Sequence, residues 1–211
     1  MPIEQLAGII GDAGIDGDRT VLVCDDRDGQ NEAMLAWTLE LLGHPRVKLL
    51  SSFLGRWTKE ERPISYRPTT PEPRTLRAKL TPDVRATHEQ ISNGSGVKLV
   101  DLRSQDEFNG KSSDGPKSRH LPGAVSLPWT SLLGEEDELF RARSQLDALV
   151  GGLGLGQDDQ IVAYCSYGPR AALGYAALRH LGFKHVKVYD KSVQRWAHRT
   201  VLSLDNCVSL S

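Results

Sequence analysis

The sequence has 211 residues, enough for one domain with an added segment or for two small domains. Its 26 basic and 27 acidic side chains nearly balance, which argues against a broad surface for nucleic acid. The three cysteines, Cys24, Cys165 and Cys207, form no CxxC pair, so they predict neither a disulfide framework nor a metal site. No basic leader and no long apolar stretch is visible, and we therefore expect a cytoplasmic protein without a membrane span or a cofactor.

Residues 1–62 predict the order helix, strand, loop, helix, short strand and helix. The chain from Ser144 onward predicts the same order again, with a strand at 160–164, a helix at 171–181 closed by Gly182, and a strand at 186–189. Strands that alternate with helices predict a parallel sheet covered by helices, which is the α/β class.

The two segments are diverged copies of one unit. Identical residues recur at a shift of 139 positions, and at a shift of 140 upstream of the loop that precedes the longer helix. The matched pairs include Gly29 with Gly168, Lys48 with Lys187, Trp57 with Trp196, and Leu6 with Leu146. The recurring tryptophans predict core aromatic residues. An aspartate, Asp25 or Asp26, stands where the second copy has Cys165, so we expect the first copy to be inactive.

The first copy is also shorter than the second at its front. It lacks counterparts of the strand at 97–100, which closes on Asp101, and of the segment 120–125. Four prolines between Pro63 and Pro73 predict an extended linker. We therefore divide the chain into a partial copy at 1–62, a linker at 63–80, a complete domain at 81–200 and a tail at 201–211.

Cys165 ends the apolar strand 160–164 and precedes a tight loop that leads into a helix. Backbone N–H groups and the positive end of that helix favour thiolate over thiol, and Arg170 adds a permanent positive charge in the same loop. A cysteine beside an apolar strand is often only a small buried residue. The sharp turn at Gly168 and the arginine at the helix entry favour a nucleophile here.

Other polar residues admit two interpretations each. Asp101 is predicted to cap the turn after its strand, with orientation of the Cys165 loop as the alternative. Arg103 either lies at the rim of the site or pairs with Glu107. His120 is predicted to pack or hydrogen-bond rather than to transfer protons.

These motifs together resemble the rhodanese (thiosulfate sulfurtransferase) family. The resemblance rests on residues 100–103 followed by 106–108, on 120–124, on the loop from Cys165 to Arg170, and on 188–190 with Trp196. It implies a rhodanese-like parallel sheet flanked by helices, preceded by a partial copy of the same fold. The whole chain resembles a tandem rhodanese with a shortened, inactive first domain.

The resemblance implies sulfur transfer in two steps. Cys165 would take a sulfur from a small anionic donor such as thiosulfate, and a thiol or cyanide would then accept it. The predicted substrate-binding residues are Ser166, Tyr167, Gly168, Pro169, Arg170, Asp101 and Arg103. The sequence predicts no particular protein partner. Glu107 stands where several two-domain members carry an arginine for the donor, which weakens a mercaptopyruvate assignment.

Two alternatives stay open at this point. A sulfur carrier or binding module without turnover would also use Cys165. A cysteine phosphatase shares the cysteine and arginine, but its loop is longer by one residue than the four that separate Cys165 from Arg170 here. Tyr164 also stands where those phosphatases usually carry histidine.

Overall fold

The computed structural model describes residues 2–92, 96–111, 120–191, 193 and 196. The first unit contains three helices and two strands, namely α1 (Ile3–Asp12), β1 (Val21–Val23), α2 (Gln30–Leu41), β2 (Val47–Leu49) and α3 (Leu54–Lys59). The order of elements is the one that the sequence predicts. Within the described ranges, no helix is both long enough and apolar enough to span a membrane.

The second unit contains four strands and four helices in the described part of the chain. They are α4 (His88–Ser92), β3 (Val97–Asp101), α5 (Gln105–Phe108), β4 (Val125–Ser126), α6 (Arg143–Gly151), β5 (Gln160–Tyr164), α7 (Pro169–His180) and β6 (Val186–Tyr189), with single 3₁₀ turns at Pro82–Val84 and Trp129–Leu132. The strands form one parallel sheet in the order β4-β3-β5-β6. The α/β class, with a parallel sheet flanked by helices, is therefore confirmed.

The first unit repeats part of this sheet. Strands β1 and β2 pair in parallel with Val21 opposite Val47, and β5 pairs with β6 with Ile161 opposite Val186. These positions correspond at the shifts of 140 and 139 seen in the sequence. The helix between the paired strands begins after a glycine of positive φ in both units, Gly29 at 75° and Gly168 at 114°. Only glycine adopts such angles readily, which explains why both copies keep it.

Residues 63–80 contain neither helix nor strand. Their second half nevertheless packs on the first unit, where Leu76 is buried. The N–H of Arg74 donates to the carbonyl of Gly11 at 2.8 Å, and the N–H of Lys79 donates to that of Leu42 at 2.9 Å. This part of the predicted linker is therefore a fixed connection.

The first unit packs on the second mainly through α2 and α7. The indole N–H of Trp37 donates to the carbonyl of Val84 at 2.9 Å, and the hydroxyl of Tyr175 donates to Glu40 at 2.8 Å. Trp37 belongs to the same buried cluster as Leu173 and Leu178 of α7. The first unit also has a small core of its own, formed by Ile10, Val23, Leu39, Leu42 and Leu76. The shared core adds buried apolar surface to this short segment.

The repeated tryptophans differ in their surroundings. Trp196 is 4% exposed, as predicted for a core residue, and its ring contacts His88 and Tyr189. The prediction for Trp57 is wrong. Its ring is only partly buried, with the guanidinium of Arg62 stacked over it at 5.0 Å.

An unusual carboxyl lies at the contact between the units. Glu32, in the first turn of α2, is 2% exposed, and within the described part of the chain neither of its oxygens has a hydrogen-bond partner. Leu139 and Leu173 of the second unit lie close to the adjacent Gly29. Burial raises the pKa of Glu32 to about 8, and the charge of Asp25 adds to the rise. The folded protein therefore holds a proton at this contact at neutral pH.

Replacing Glu32 by glutamine tests this assignment. The native carboxyl stays protonated up to about pH 8, whereas the unfolded one titrates near its ordinary pKa of 4.5, so the free energy of unfolding falls as the pH rises between these values. We expect Glu32→Gln to be more stable than wild type by about 3 kcal/mol at about pH 7, and equally stable at about pH 4. Urea unfolding followed by tryptophan fluorescence measures the difference. The exposed first-turn acid Glu4, changed to glutamine, is the control, and a pH-independent difference for Glu32→Gln would contradict the assignment.

Candidate active site

Cys165 lies directly after β5, at the start of the loop that leads into α7. Its Sγ accepts a hydrogen bond from the N–H of Gly168 at 3.0 Å. The positive φ of Gly168 turns the backbone so that this N–H faces the sulfur. Pro169 follows as the first residue of α7 and has no N–H to contribute. A peptide donor directed at sulfur stabilises negative charge there.

The sulfur is covered in this structure. Cys165 is 0% exposed and the next residue, Ser166, is 5% exposed, whereas Tyr167 at the outside of the loop is 67% exposed. The thioether end of Met34, from α2 of the first unit, lies beside Gly168. Reaction of Cys165 with an external molecule therefore requires displacement of the groups that cover it.

Arg170 is held by two side chains rather than directed freely into the site. Its Nη1 and Nη2 donate to the two carboxylate oxygens of Glu107 at 2.6 and 3.0 Å. Nη2 also donates to the hydroxyl of Ser166 at 3.0 Å, and that hydroxyl donates to Glu107 at 3.1 Å. We call Glu107, Ser166 and Arg170 the Glu107 network. It joins the two ends of the Cys165 loop to helix α5.

Glu107 is itself fixed by the start of its helix. Ser104 and Glu107 form a capping box, in which the Ser104 N–H donates to the Glu107 carboxylate at 2.9 Å and the Glu107 N–H donates to the Ser104 hydroxyl at 3.2 Å. Burial raises the pKa of Glu107, but hydrogen bonds from Arg170 and Ser104 lower it by more, to about 2. The carboxylate is therefore ionised at neutral pH. The sequence prediction missed this role, although the Ser-x-x-Glu spacing at 104–107 is a signal for it.

Asp101 and Arg103 form a second, fully buried ion pair, with 0% and 2% side-chain exposure. The Arg103 side chain donates to both oxygens of Asp101, at 3.0 and 2.7 Å, and its backbone N–H donates to the same carboxylate at 2.9 Å. The interpretation that Arg103 pairs with Glu107 is wrong, because Asp101 is its bidentate partner. Burial also excludes a position at the rim. The turn-capping role of Asp101 is the one observed.

Tyr164 is a structural residue to which the sequence prediction gave no role. It is fully buried, its carbonyl accepts the N–H of Leu102 at 2.9 Å, and its hydroxyl accepts the N–H of Leu121 at 3.1 Å. Burial and the charge of Asp101 raise its pKa well above the usual range. Tyr164 thereby links the segment after β3 and the segment at 120–124 to the start of the Cys165 loop. His120 has the predicted packing role, since its ring stacks on Phe108 with the centroids 3.8 Å apart.

The corresponding loop of the first unit has a different character. Cys24 is exposed, and Asp25 follows it at the end of β1. Desolvation raises the pKa of Cys24, and the charges of Glu32 and Asp25 raise it further. This loop therefore favours a thiol over a thiolate. Cys207 lies outside the described residues.

Comparison with known proteins identifies the family. Residues 84–199 match the rhodanese-like domain family. The chain is 31% identical over 219 residues to a thiosulfate sulfurtransferase of Corynebacterium glutamicum, an alignment that covers 96% of this chain and 71% of the relative. The chain therefore belongs to the rhodanese family.

Two further similarities concern function and fold. A sulfur carrier protein of Thermus thermophilus, TtuD, is 29% identical over 212 residues, covering 92% of this chain and 74% of that protein. Among solved structures, the 3-mercaptopyruvate sulfotransferase SseA of Escherichia coli matches with a TM-score of 0.77 at 24% identity, over 90% of this chain and 73% of that chain. The structural match shows the fold, and it extends over both units of this chain.

We predict that Glu107→Gln loosens the loop. The variant keeps the shape of the side chain but loses the charge that holds Arg170, so we expect a loss of about 2 kcal/mol in the free energy of unfolding at neutral pH. Because the folded pKa is lowered to about 2, this stabilisation is complete above the ordinary pKa of 4.5 and is lost as the pH falls through about 2. Urea unfolding at neutral and acid pH measures it. Asp106→Asn, in the same helix turn, is the control, and equal effects of the two variants would contradict the role of Glu107.

Proposed function

We propose that the chain transfers a sulfane sulfur from thiosulfate, or a related small anionic donor, to a thiol or cyanide through a persulfide on Cys165. The observation that carries this proposal is the hydrogen bond from the Gly168 N–H to the Cys165 sulfur at 3.0 Å. Family membership supports the reaction class, and the loop geometry supports the choice of nucleophile.

In the first step, the Cys165 thiolate attacks the outer sulfur of thiosulfate. A bond forms between the two sulfurs, the bond to the sulfonate sulfur breaks, and sulfite leaves with the electron pair. In the second step, a thiolate or cyanide attacks the outer sulfur of the persulfide, and the Cys165 thiolate leaves. Charge is conserved in both steps, so the atoms and electrons balance without an added oxidant or reductant.

The Glu107 network supports a division of roles within the loop. We assign to the backbone N–H groups of Gly168, Ser166 and Tyr167 the role of stabilising the negative charge on the Cys165 sulfur. Pro169 begins α7 and has no N–H to donate to the sulfur. The guanidinium of Arg170 is already neutralised by Glu107, so we assign it to holding the loop, with donor contact secondary. We assign to Asp101 and Arg103 the role of fixing the backbone at the end of β3, beneath the Cys165 loop.

A sulfur carrier is the second candidate function. The full burial of Cys165 favours it. Small molecules in solution reach a covered sulfur slowly, and a carrier exchanges its sulfur with a protein partner instead. The similarity to a protein named sulfur carrier also favours it. A phosphatase is disfavoured, since the loop arginine that would hold a phosphate is engaged by Glu107.

We also propose a division of labour along the chain. Residues 81–200 form the catalytic unit, and residues 1–62 form a partial, inactive copy joined by 63–80. The contact of Met34 with the loop supports the view that the first copy serves as one wall of the site.

Incubation with thiosulfate followed by intact-protein mass spectrometry tests the persulfide. We expect a gain of about 32 mass units, and its loss on addition of cyanide. The variant Cys165→Ser is expected to gain nothing, whereas Cys24→Ser, which removes the other described cysteine, is expected to behave as wild type. A gain that persists in Cys165→Ser, or none in wild type with any donor, would rule out the proposal.

Turnover separates the two candidate functions. An enzyme should form thiocyanate from thiosulfate and cyanide many times per molecule. A carrier should stop after one equivalent. We expect multiple turnovers, with Met34→Ala faster than wild type because a smaller side chain beside Gly168 leaves the loop less covered. A burst limited to one equivalent in both proteins would favour the carrier.

A further inference from the structure

In the second unit, the outer edge of the sheet, formed by β6, is covered. A short extended segment before α4 lies along β6, where Arg85 forms a parallel bridge with Val188. The N–H of Ala86 donates to the carbonyl of Val188 at 2.9 Å. The side chain of Arg85 adds two hydrogen bonds to Asp190, at 2.8 and 2.7 Å. The edge of β6 is therefore paired.

Among the described residues, the matching edge in the first unit is covered only beyond β2, where the N–H of Leu139 donates to the carbonyl of Ser51 at 2.9 Å and Ser52 forms an antiparallel bridge with Glu138. Strand β2 pairs on one side only, with β1. The bonds from the Val21 N–H to the carbonyl of Arg46 and from the Leu50 N–H to the carbonyl of Val23 show which residues face β1. The alternate residues, Val47 and Leu49, consequently direct their N–H and C=O groups outward. Leu49 is the counterpart of the paired Val188.

A groove of about 830 Å³ runs beside this open edge, between β2 and α2 of the first unit and α7 of the second. Leu49, Leu139 and Phe140 contribute apolar walls. His44 also lines the groove and is 4% exposed. Its Nδ1 accepts the N–H of Arg46 at 3.2 Å, so the ring proton is on Nε2, which has no acceptor among the described residues. A buried donor without an acceptor is unfavourable, and this one favours an acceptor brought by a ligand.

The charges around the groove favour an acidic ligand. Of its two glutamates, Glu138 is paired with Arg56, whereas Glu40 accepts a hydrogen bond from the neutral hydroxyl of Tyr175 and keeps its charge. Lys48 and Arg141 are exposed at the groove and make no ion pair with any described residue. Arg179, also exposed at the groove, bonds only to backbone carbonyls within the described part of the chain. Three cations without an ion pair to any described residue therefore face the one unpaired carboxylate of Glu40, and the excess charge is positive.

We propose that this groove binds an extended peptide with alternating acidic and apolar residues, which adds to β2 as a third parallel strand. Backbone groups of the peptide would pair with those of Val47 and Leu49, as the segment at 85–86 does on β6. Apolar side chains would face Leu139 and Phe140, and acidic ones would face Lys48 and Arg141. Such a ligand contacts both units at once.

The site is separate from the sulfur chemistry. Cys165 lies near the N-terminal end of α7, whereas Arg179 and His180, which line the groove, lie in its last turn. A helix of 12 residues is about 18 Å long. The proposal therefore concerns the docking of a protein partner and does not depend on the identity of the sulfur donor.

Fluorescence polarisation with the full chain and a labelled peptide, Asp-Val-Glu-Val-Asp-Val, tests the proposal. We expect saturable binding that weakens with salt, and protection of the Val47 and Leu49 amides from hydrogen exchange in the complex. The double variant Lys48→Glu with Arg141→Glu is expected to bind roughly tenfold more weakly or worse. Lys98→Glu, at another exposed lysine on strand β3, is the matched control and should bind as wild type.

Two control peptides distinguish strand addition from charge attraction. A peptide N-methylated at alternate residues keeps every charge but cannot pair with a strand edge, and we expect it not to bind. A peptide with lysine in place of each acid should also fail. Binding of the N-methylated peptide equal to that of the parent, or no binding of the parent, would overturn the proposal. So would a dimer of the chain alone whose Val47 and Leu49 amides are already protected, since a second copy would then cover the edge.

Discussion

The loop around Cys165 depends on a single carboxylate, that of Glu107. Its position is set by the capping box of its own short helix, and its two oxygens hold both Ser166 and Arg170. The pKa of about 2 means that this carboxylate is charged wherever the protein is folded at ordinary pH. The loop can therefore keep the Gly168 N–H on the sulfur without using the arginine for that purpose.

The second constraint comes from the contact between the two units. The first unit has only a small core of its own, around Leu39 and Leu42, and α2 also shares the core of the second unit through Trp37. That placement brings Met34 against the Cys165 loop and leaves Glu32 buried and protonated at the contact between the units. The first unit thus contributes a side chain beside Gly168, the residue whose N–H donates to the covered sulfur. Among the described strands, β2 pairs with β1 alone.

Much of the fold follows from local signals in the sequence. Glycines of positive φ mark the start of both long helices, and alternating elements predict the parallel sheet. The predictions failed where residues distant in the sequence determine the partner or the surroundings of a side chain. Arg103 and Glu107 are spaced as a helical pair, but the backbone turns at Asp101 first, and its carboxylate captures the guanidinium. Trp57 and Trp196 occupy matched positions but have different neighbours, since Arg62 stacks over the first, whereas His88 and Tyr189 contact the second. Such facts depend on tertiary neighbours.

The central claim is that peptide donors of the loop stabilise the reacting sulfur while Arg170 holds the loop. A crystal structure of the protein after exposure to thiosulfate tests it most directly. We expect a second sulfur bonded to Cys165, with the Gly168 N–H within hydrogen-bonding distance and the pair of Glu107 and Arg170 intact. Thiosulfate bound to a guanidinium released from Glu107, or a sulfur that no loop N–H approaches, would contradict the claim.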